Sequence, residues 1–201
     1  MRILVCCEFS GVVRRAFRER GHDAWSCDLL AAEDHSEHHI VGDALRVIAN
    51  PPPDLRLPMW ELLICHPPCT HLAVSGARWF KDKRVEQEQA LDFVRSLLAA
   101  RCSRIALENP VSIISSHIRK PDQIIQPWMF GHRETKATCL WLKGLPELVP
   151  TDVVGPPRTP AEKIEFAKVH RMPPGPDRWR ERSRTYEGLA RAMAEQWGSI
   201  T

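Results

Sequence analysis

Leu62-Leu63-Ile64-Cys65-His66-Pro67-Pro68-Cys69 is the stretch on which the fold reading turns. Its first four residues form a short apolar run, the pattern of a strand buried on both faces. A stiff turn follows, because each proline fixes its own φ and restricts the residue before it. Cys69 therefore stands just past the C-terminal end of a buried strand. Arg104-Ile105-Ala106-Leu107 repeats the pattern and leads into Glu108-Asn109-Pro110. Ligands of open α/β sheets bind at that edge. A thiol and a carboxylate placed there offer a nucleophile and a proton donor, the two groups needed to attack an electron-poor heterocycle.

Working outward, residues 2–7 read as another buried strand, 8–11 as a turn, and 12–20 as a helix with Val13, Ala16 and Phe17 inward. Ser10 is a candidate cap for that helix, and Gly21-His22 a stop. Strands at 24–27 and 39–41 end in Asp28 and Gly42-Asp43. A Pro-rich connection covers 50–58 and a loop 70–83. Residues 85–100 have the spacing of an amphipathic helix, with Ala90, Phe93, Val94 and Leu97 on one face. Strands alternating with helices predict an α/β fold, a doubly wound, mostly parallel sheet. Residues 122–131 and 137–143 read as two further strands, 149–176 as a long loop rich in Pro and charge, and 183–197 as a closing helix.

The chain has 201 residues, 43% of them hydrophobic, which suits a single domain with a sizeable core. A net charge of +3 permits a nucleic-acid partner without requiring one. The seven cysteines are odd in number and irregularly spaced, which favours a reducing, cytoplasmic setting. The N-terminus enters a strand at once, so no signal peptide is expected. No segment approaches the ~20 apolar residues of a membrane span.

Each candidate group has a plain structural reading beside the chemical one. The turn Glu8-Phe9-Ser10-Gly11 could cradle a nucleotide at a helix N-terminus, yet it lacks the glycine spacing of a dinucleotide loop. Asp28 could accept hydrogen bonds from ribose hydroxyls and Asp43 could meet an adenine amino group; either could equally be a cap or turn residue. Cys6, Cys7, Cys27, Cys65, Cys102 and Cys139 read as small buried hydrophobes, whereas Cys69 lies beyond a strand end in a polar turn. Glu108, partly desolvated, would have a raised pKa and serve as an acid. Cys65, His66, Cys69 and His71 suggest zinc only at first sight, because Cys65 and His66 point to opposite sides of a strand. The loop His35, His38, His39 is no stronger, so no metal is expected.

In this order the residues resemble the DNA cytosine-5 methyltransferases. The matching motifs are Phe9-Ser10-Gly11, Asp28, Gly42-Asp43, Pro68-Cys69 and Glu108-Asn109, with Ser75-Gly76 similar to the family's active-site loop. The resemblance covers about residues 1–145 and the last helix. It implies a Rossmann-like fold that binds S-adenosyl-L-methionine through Phe9, Ser10, Gly11, Asp28, Leu29, Asp43, Ala44 and Pro68. It also implies that Cys69 adds to C6 of cytosine, Glu108 holds or protonates N3, Asn109 holds the turn, and a basic residue, here Arg133, lies near the substrate. The expected partner is DNA, single-stranded or bound with weak specificity. The sequence departs from the family in its glycine-poor first loop, in Asp28 where Glu is usual, and in Thr70 where Gln follows the cysteine. It has no large target-recognition domain; residues 146–183 would be a Pro-rich loop or a minimal recognition excursion within one methyltransferase-like domain. Small size of this kind suits a phage or mobile-element protein. Two alternatives stay open: the same fold acting on a free pyrimidine nucleotide or transferring a modified one-carbon group, and a catalytically silent binder of nucleic acid or protein.

Overall fold

The computed structural model describes residues 1–51, 60–76 and 82–200. Most of the Pro-rich connection and part of the loop after Cys69 lie outside the described residues. The described strands are β1 (Arg2–Cys6), β2 (Asp23–Asp28), β3 (His39–Val41), β4 (Leu62–Cys65), β5 (Ile105–Pro110), β6 (Gln123–Ile125) and β7 (Thr138–Lys143). They form one sheet in the order β3-β2-β1-β4-β5-β7-β6. β1 to β5 pair in parallel, while β7 runs antiparallel to β5 and β6. The fold class is the expected one: α/β, doubly wound, mostly parallel and Rossmann-like.

Alternation along the strands explains the two helical layers. Ile3, Val5, Leu62 and Ile64 face one side, where α1 (Val12–Arg18) and α8 (Glu187–Gly198) add Val13, Phe17, Met193 and Trp197. Leu4, Cys6, Leu63 and Cys65 face the other, against α2 (Ala44–Ala49), α3 (Arg84–Leu98) and α4 (Ile114–His117). α3 buries Leu91, Val94 and Leu97; Phe93 is only partly covered.

Several boundaries differ from the sequence reading, each for a local reason. Glu108 and Asn109 lie inside β5 rather than past its end. β4 stops at the Cys65–Leu107 pairing, but β7 continues to pair with β5 as far as Pro110–Thr138. The segment 122–131 holds only the short β6, because a 3₁₀ turn begins at Pro127, which has no N–H for a ladder. The expected long loop contains α5 (Pro160–Glu165) and α6 (Lys168–Arg171), the former closed by a Thr159–Glu162 capping box. Extended backbone at Arg184 and Tyr186 separates α7 (Arg178–Ser183) from α8, so the closing helix starts later than expected. Gly11 rather than Ser10 is the N-cap of α1, at φ 67°; the Ser10 hydroxyl accepts the Val12 amide only at 3.5 Å, while the buried Glu8 carboxylate accepts the Val13 and Arg14 amides at 2.6 and 3.2 Å.

Gly188, near the start of α8, sits where any Cβ would overlap the Phe130 carbonyl oxygen. Alanine normally favours a helix over glycine, but this overlap involves backbone and cannot be relieved by a rotamer. Gly188→Ala should lower stability by about 1–3 kcal/mol, read by urea unfolding.

Candidate active site

The chain leaves β1 for β2 and β3 on one side, then returns to lay β4 on β1's other side. The crevice of a doubly wound sheet opens at that reversal. In-register pairing of Cys6 with both Cys27 and Cys65 brings three strand ends together. The His66 amide donates to Cys6 O at 3.0 Å, and the Glu8 amide to Cys27 O at 3.2 Å. Beyond the two prolines, Cys69 O accepts the Leu72 and Ala73 amides, closing the turn. Val74 N then donates to Val111 O and Ile113 N to Leu72 O, so the Cys69 loop runs beside the segment that leaves β5. Asn109, 1% exposed, donates from Nδ2 to Pro67 O at 2.8 Å and ties β5 to the Pro-Pro turn.

A cavity of about 890 Å³ fills this crevice. Phe9, Ser10 and Asp28 line it at the tips of β1 and β2; Pro68, Cys69, Glu108 and Asn109 line it beside β4 and β5. Those seven expected residues share one space. Five others are not among its lining. Gly11 caps α1, Leu29 is 75% exposed, Ala44 is buried in the core, and Asp43 caps α2 by accepting the Arg46 amide at 2.9 Å. Arg133 turns away: its guanidinium pairs with Glu165 at 2.9 Å and lies 4.9 Å over the Phe166 ring.

The lysine and arginine side chains lining the cavity are Lys136, Arg178, Arg182 and Arg184. Three of them come from α7 and the residue after it, which form a roof. Trp179 lies 5.5 Å from Phe9, centroid to centroid, while Arg184 and Arg180 reach Glu33 at 2.7 and 3.4 Å. Lys136 Nζ donates to Arg182 O at 2.8 Å. The basic stretch with its tryptophan is visible in the sequence; its position over the crevice is not. His66 and Glu8 also line the cavity, and sequence reading assigned neither a role in it.

The charge state of Glu108 differs from the expectation. Burial pushes its pKa up, but the hydrogen bond and charge of His66 outweigh that, with help from Lys136, and the net direction is down. Burial likewise opposes protonation of His66, yet the Glu108 carboxylate, 2.9 Å away, raises its pKa overall and Glu8 assists. Each partner therefore favours the charged form of the other. The Cys69 thiol is pushed up, by loss of solvent first and by Glu108 second; Lys136 and Arg182 oppose this. Burial raises Glu8 as well, although His66 and the α1 amides favour its charge.

Among the described residues no group of three or more His, Cys, Asp or Glu side chains is arranged to hold a metal ion, and no helix is long and apolar enough to cross a membrane. No family model matches the chain, and no curated protein matches it. Among solved structures it is similar to an rRNA methylase from Escherichia coli, with 15% identity and a TM-score of 0.40 over 71% of this chain and 56% of that one. It is also similar to the 16S rRNA methylase RmtB, with 16% identity and a TM-score of 0.40 over 71% and 55%. The chain thus spans just over half the length of these structures, and the fold assignment rests on the sheet order above.

The His66–Glu108 pair gives stability a pH window. A carboxylate with a lowered folded pKa stabilises above its usual value of 4.5, and that contribution is lost as pH falls through the folded value. An imidazole with a raised folded pKa stabilises below its usual value of 6.5, and that contribution is lost as pH rises through the folded value. The Tm advantage of the wild type over Glu108→Gln should be largest between these limits and shrink on both sides, as measured by thermal unfolding across pH.

Proposed function

We propose that the protein transfers a methyl group to C5 of cytosine, in DNA that is single-stranded or bound with weak specificity. One observation carries the reading: Cys69 and Glu108 line the same cavity as Phe9, Ser10 and Asp28. About 890 Å³ lies within the 300–1,000 Å³ typical of ligand sites. Asn109 Oδ1 and Thr135 Oγ1, on two lining residues, are buried without a hydrogen-bond partner among the described residues, as expected of a wall that meets a polar ligand.

S-adenosylmethionine fits the β1–β2 end of the cavity, where Phe9, Ser10 and Asp28 would hold it. When bound it supplies an electrophilic methyl group on a sulfonium. Cys69 adds through its sulfur to C6 of the pyrimidine, which makes C5 nucleophilic. Glu108 lies at N3 and supports the proton that N3 gains. Asn109 holds the Pro67 carbonyl and so fixes the approach of Cys69. Solvent takes the C5 proton, Cys69 leaves as the thiolate, and N3 returns its proton through Glu108 to that sulfur, which restores the ring. Lys136, Arg178 and Arg182 in the cavity wall suit phosphates, and Trp179 suits a stacked base. Residues 146–183 are accordingly read as the substrate-side excursion of one methyltransferase-like domain.

The roof over the cavity also suits a free pyrimidine nucleotide, so both substrates belong in the test. The protein should form a covalent complex with an oligonucleotide containing 5-fluorocytosine when S-adenosylmethionine is present, visible as a mass increment. Cys69→Ser should abolish it, and Arg133→Ala should leave it intact. A complex formed only with 5-fluorodeoxycytidine monophosphate moves the substrate to the free nucleotide. No complex with either probe, with the biological effect retained in Cys69→Ala, leaves the silent-binder reading.

A further inference from the structure

His66 lines the cavity and has no part in the scheme above. Its side chain is 9% exposed and that of Glu108 16%. The ring Nδ1 donates to Glu108 Oε2 at 2.9 Å, and its buried Nε2 has no hydrogen-bond partner among the described residues. The charged groups facing it are Glu108 from β5, Glu8 from the turn before α1 and Lys136 from the segment before β7; the first two favour the imidazolium and the third opposes it. Around this ring the resting site holds a thiol at Cys69 and a carboxylate at Glu108. Attack requires a thiolate and a protonated N3. A single proton moved from sulfur to N3 meets both needs, and only an ionised Glu108 can receive it.

We propose that His66 is a positioning residue that keeps Glu108 ionised and fixed, so that Glu108 takes the Cys69 proton as sulfur attacks and passes it to N3. The inference rests on the cytosine reading. The S–H bond breaks and S–C6 forms. The C5=C6 pair shifts to C4=C5, the C4=N3 pair moves to N3, and N3–H forms. Glu108 ends as the carboxylate it was, His66 stays an imidazolium, and no outside acid or base is needed.

Without the imidazolium, burial acts on Glu108 opposed only by Lys136, so its titration moves up and the acid limb of adduct formation moves with it. The test is the rate of covalent complex formation on the 5-fluorocytosine oligonucleotide across pH, for wild type and His66→Asn. The limb should rise by about one pH unit or more, so the variant is slower by ~10-fold or more on the acid side of both limbs yet within ~3-fold near pH 8. A variant slowed by the same factor at every pH overturns the proposal and leaves the cytosine reading standing. Wild type that forms no complex at any pH sinks the cytosine reading and this inference with it. If His66→Asn does not fold, ¹³C titration of the wild-type carboxyls decides, with Glu108 assigned through Glu108→Gln. Titration of Glu108 below the usual carboxylate range supports the proposal, and titration at or above it overturns it.

Discussion

Parallel pairing of β1 with β4, in the register that sets Cys6 opposite Cys65, is the constraint on which the site depends. It places the turn after β1 and the Pro-Pro turn after β4 side by side at one sheet edge. Every residue in that register is buried, so a slip by one would turn Ile3 and Val5 toward the wrong helical layer. The crevice is therefore held by the whole core rather than by contacts local to it. β5 adds Glu108 one residue beyond its last pairing with β4, still paired with Leu140 of β7, and its carboxylate lines the cavity.

Much of this was legible in the sequence because it follows from burial. Short apolar runs followed by Pro-Pro-Cys and Glu-Asn-Pro mark strand ends, and strand ends of a parallel sheet share an edge. The antiparallel β6 and β7 were legible as strands but not in direction, since periodicity carries no sign. The ionisation of Glu108 was not legible. It depends on His66, 42 positions away in sequence, and a carboxyl read in isolation feels only its burial. Arg133 failed for a related reason: Glu165 and Phe166 claim it from the excursion. Asp43 shows that a strand-end acid can look functional while it caps α2; Ser10 keeps its place in the cavity wall but leaves most of the capping of α1 to Glu8.

The excursion between β7 and α8 is short, yet it does more than connect. It delivers α7 to the open side of the crevice through Trp179 and Arg184, which contact the turn after β1 and Glu33. The contacts at Glu33 are partly exposed, with Arg180 and Arg184 at 45% and 40% side-chain exposure, so each is individually weak. The roof is therefore held less firmly than the sheet beneath it.

Glu8 has one more consequence. With its carboxylate on the first amides of α1, the helix already has its own resident anion, and an incoming acid group gains nothing from that dipole. Glu8 and Asp28 line the cavity together with Lys136, Arg178 and Arg182, so its wall carries both signs of charge. A ligand bearing both a cationic and an anionic group can therefore find a counter-charge for each within one space.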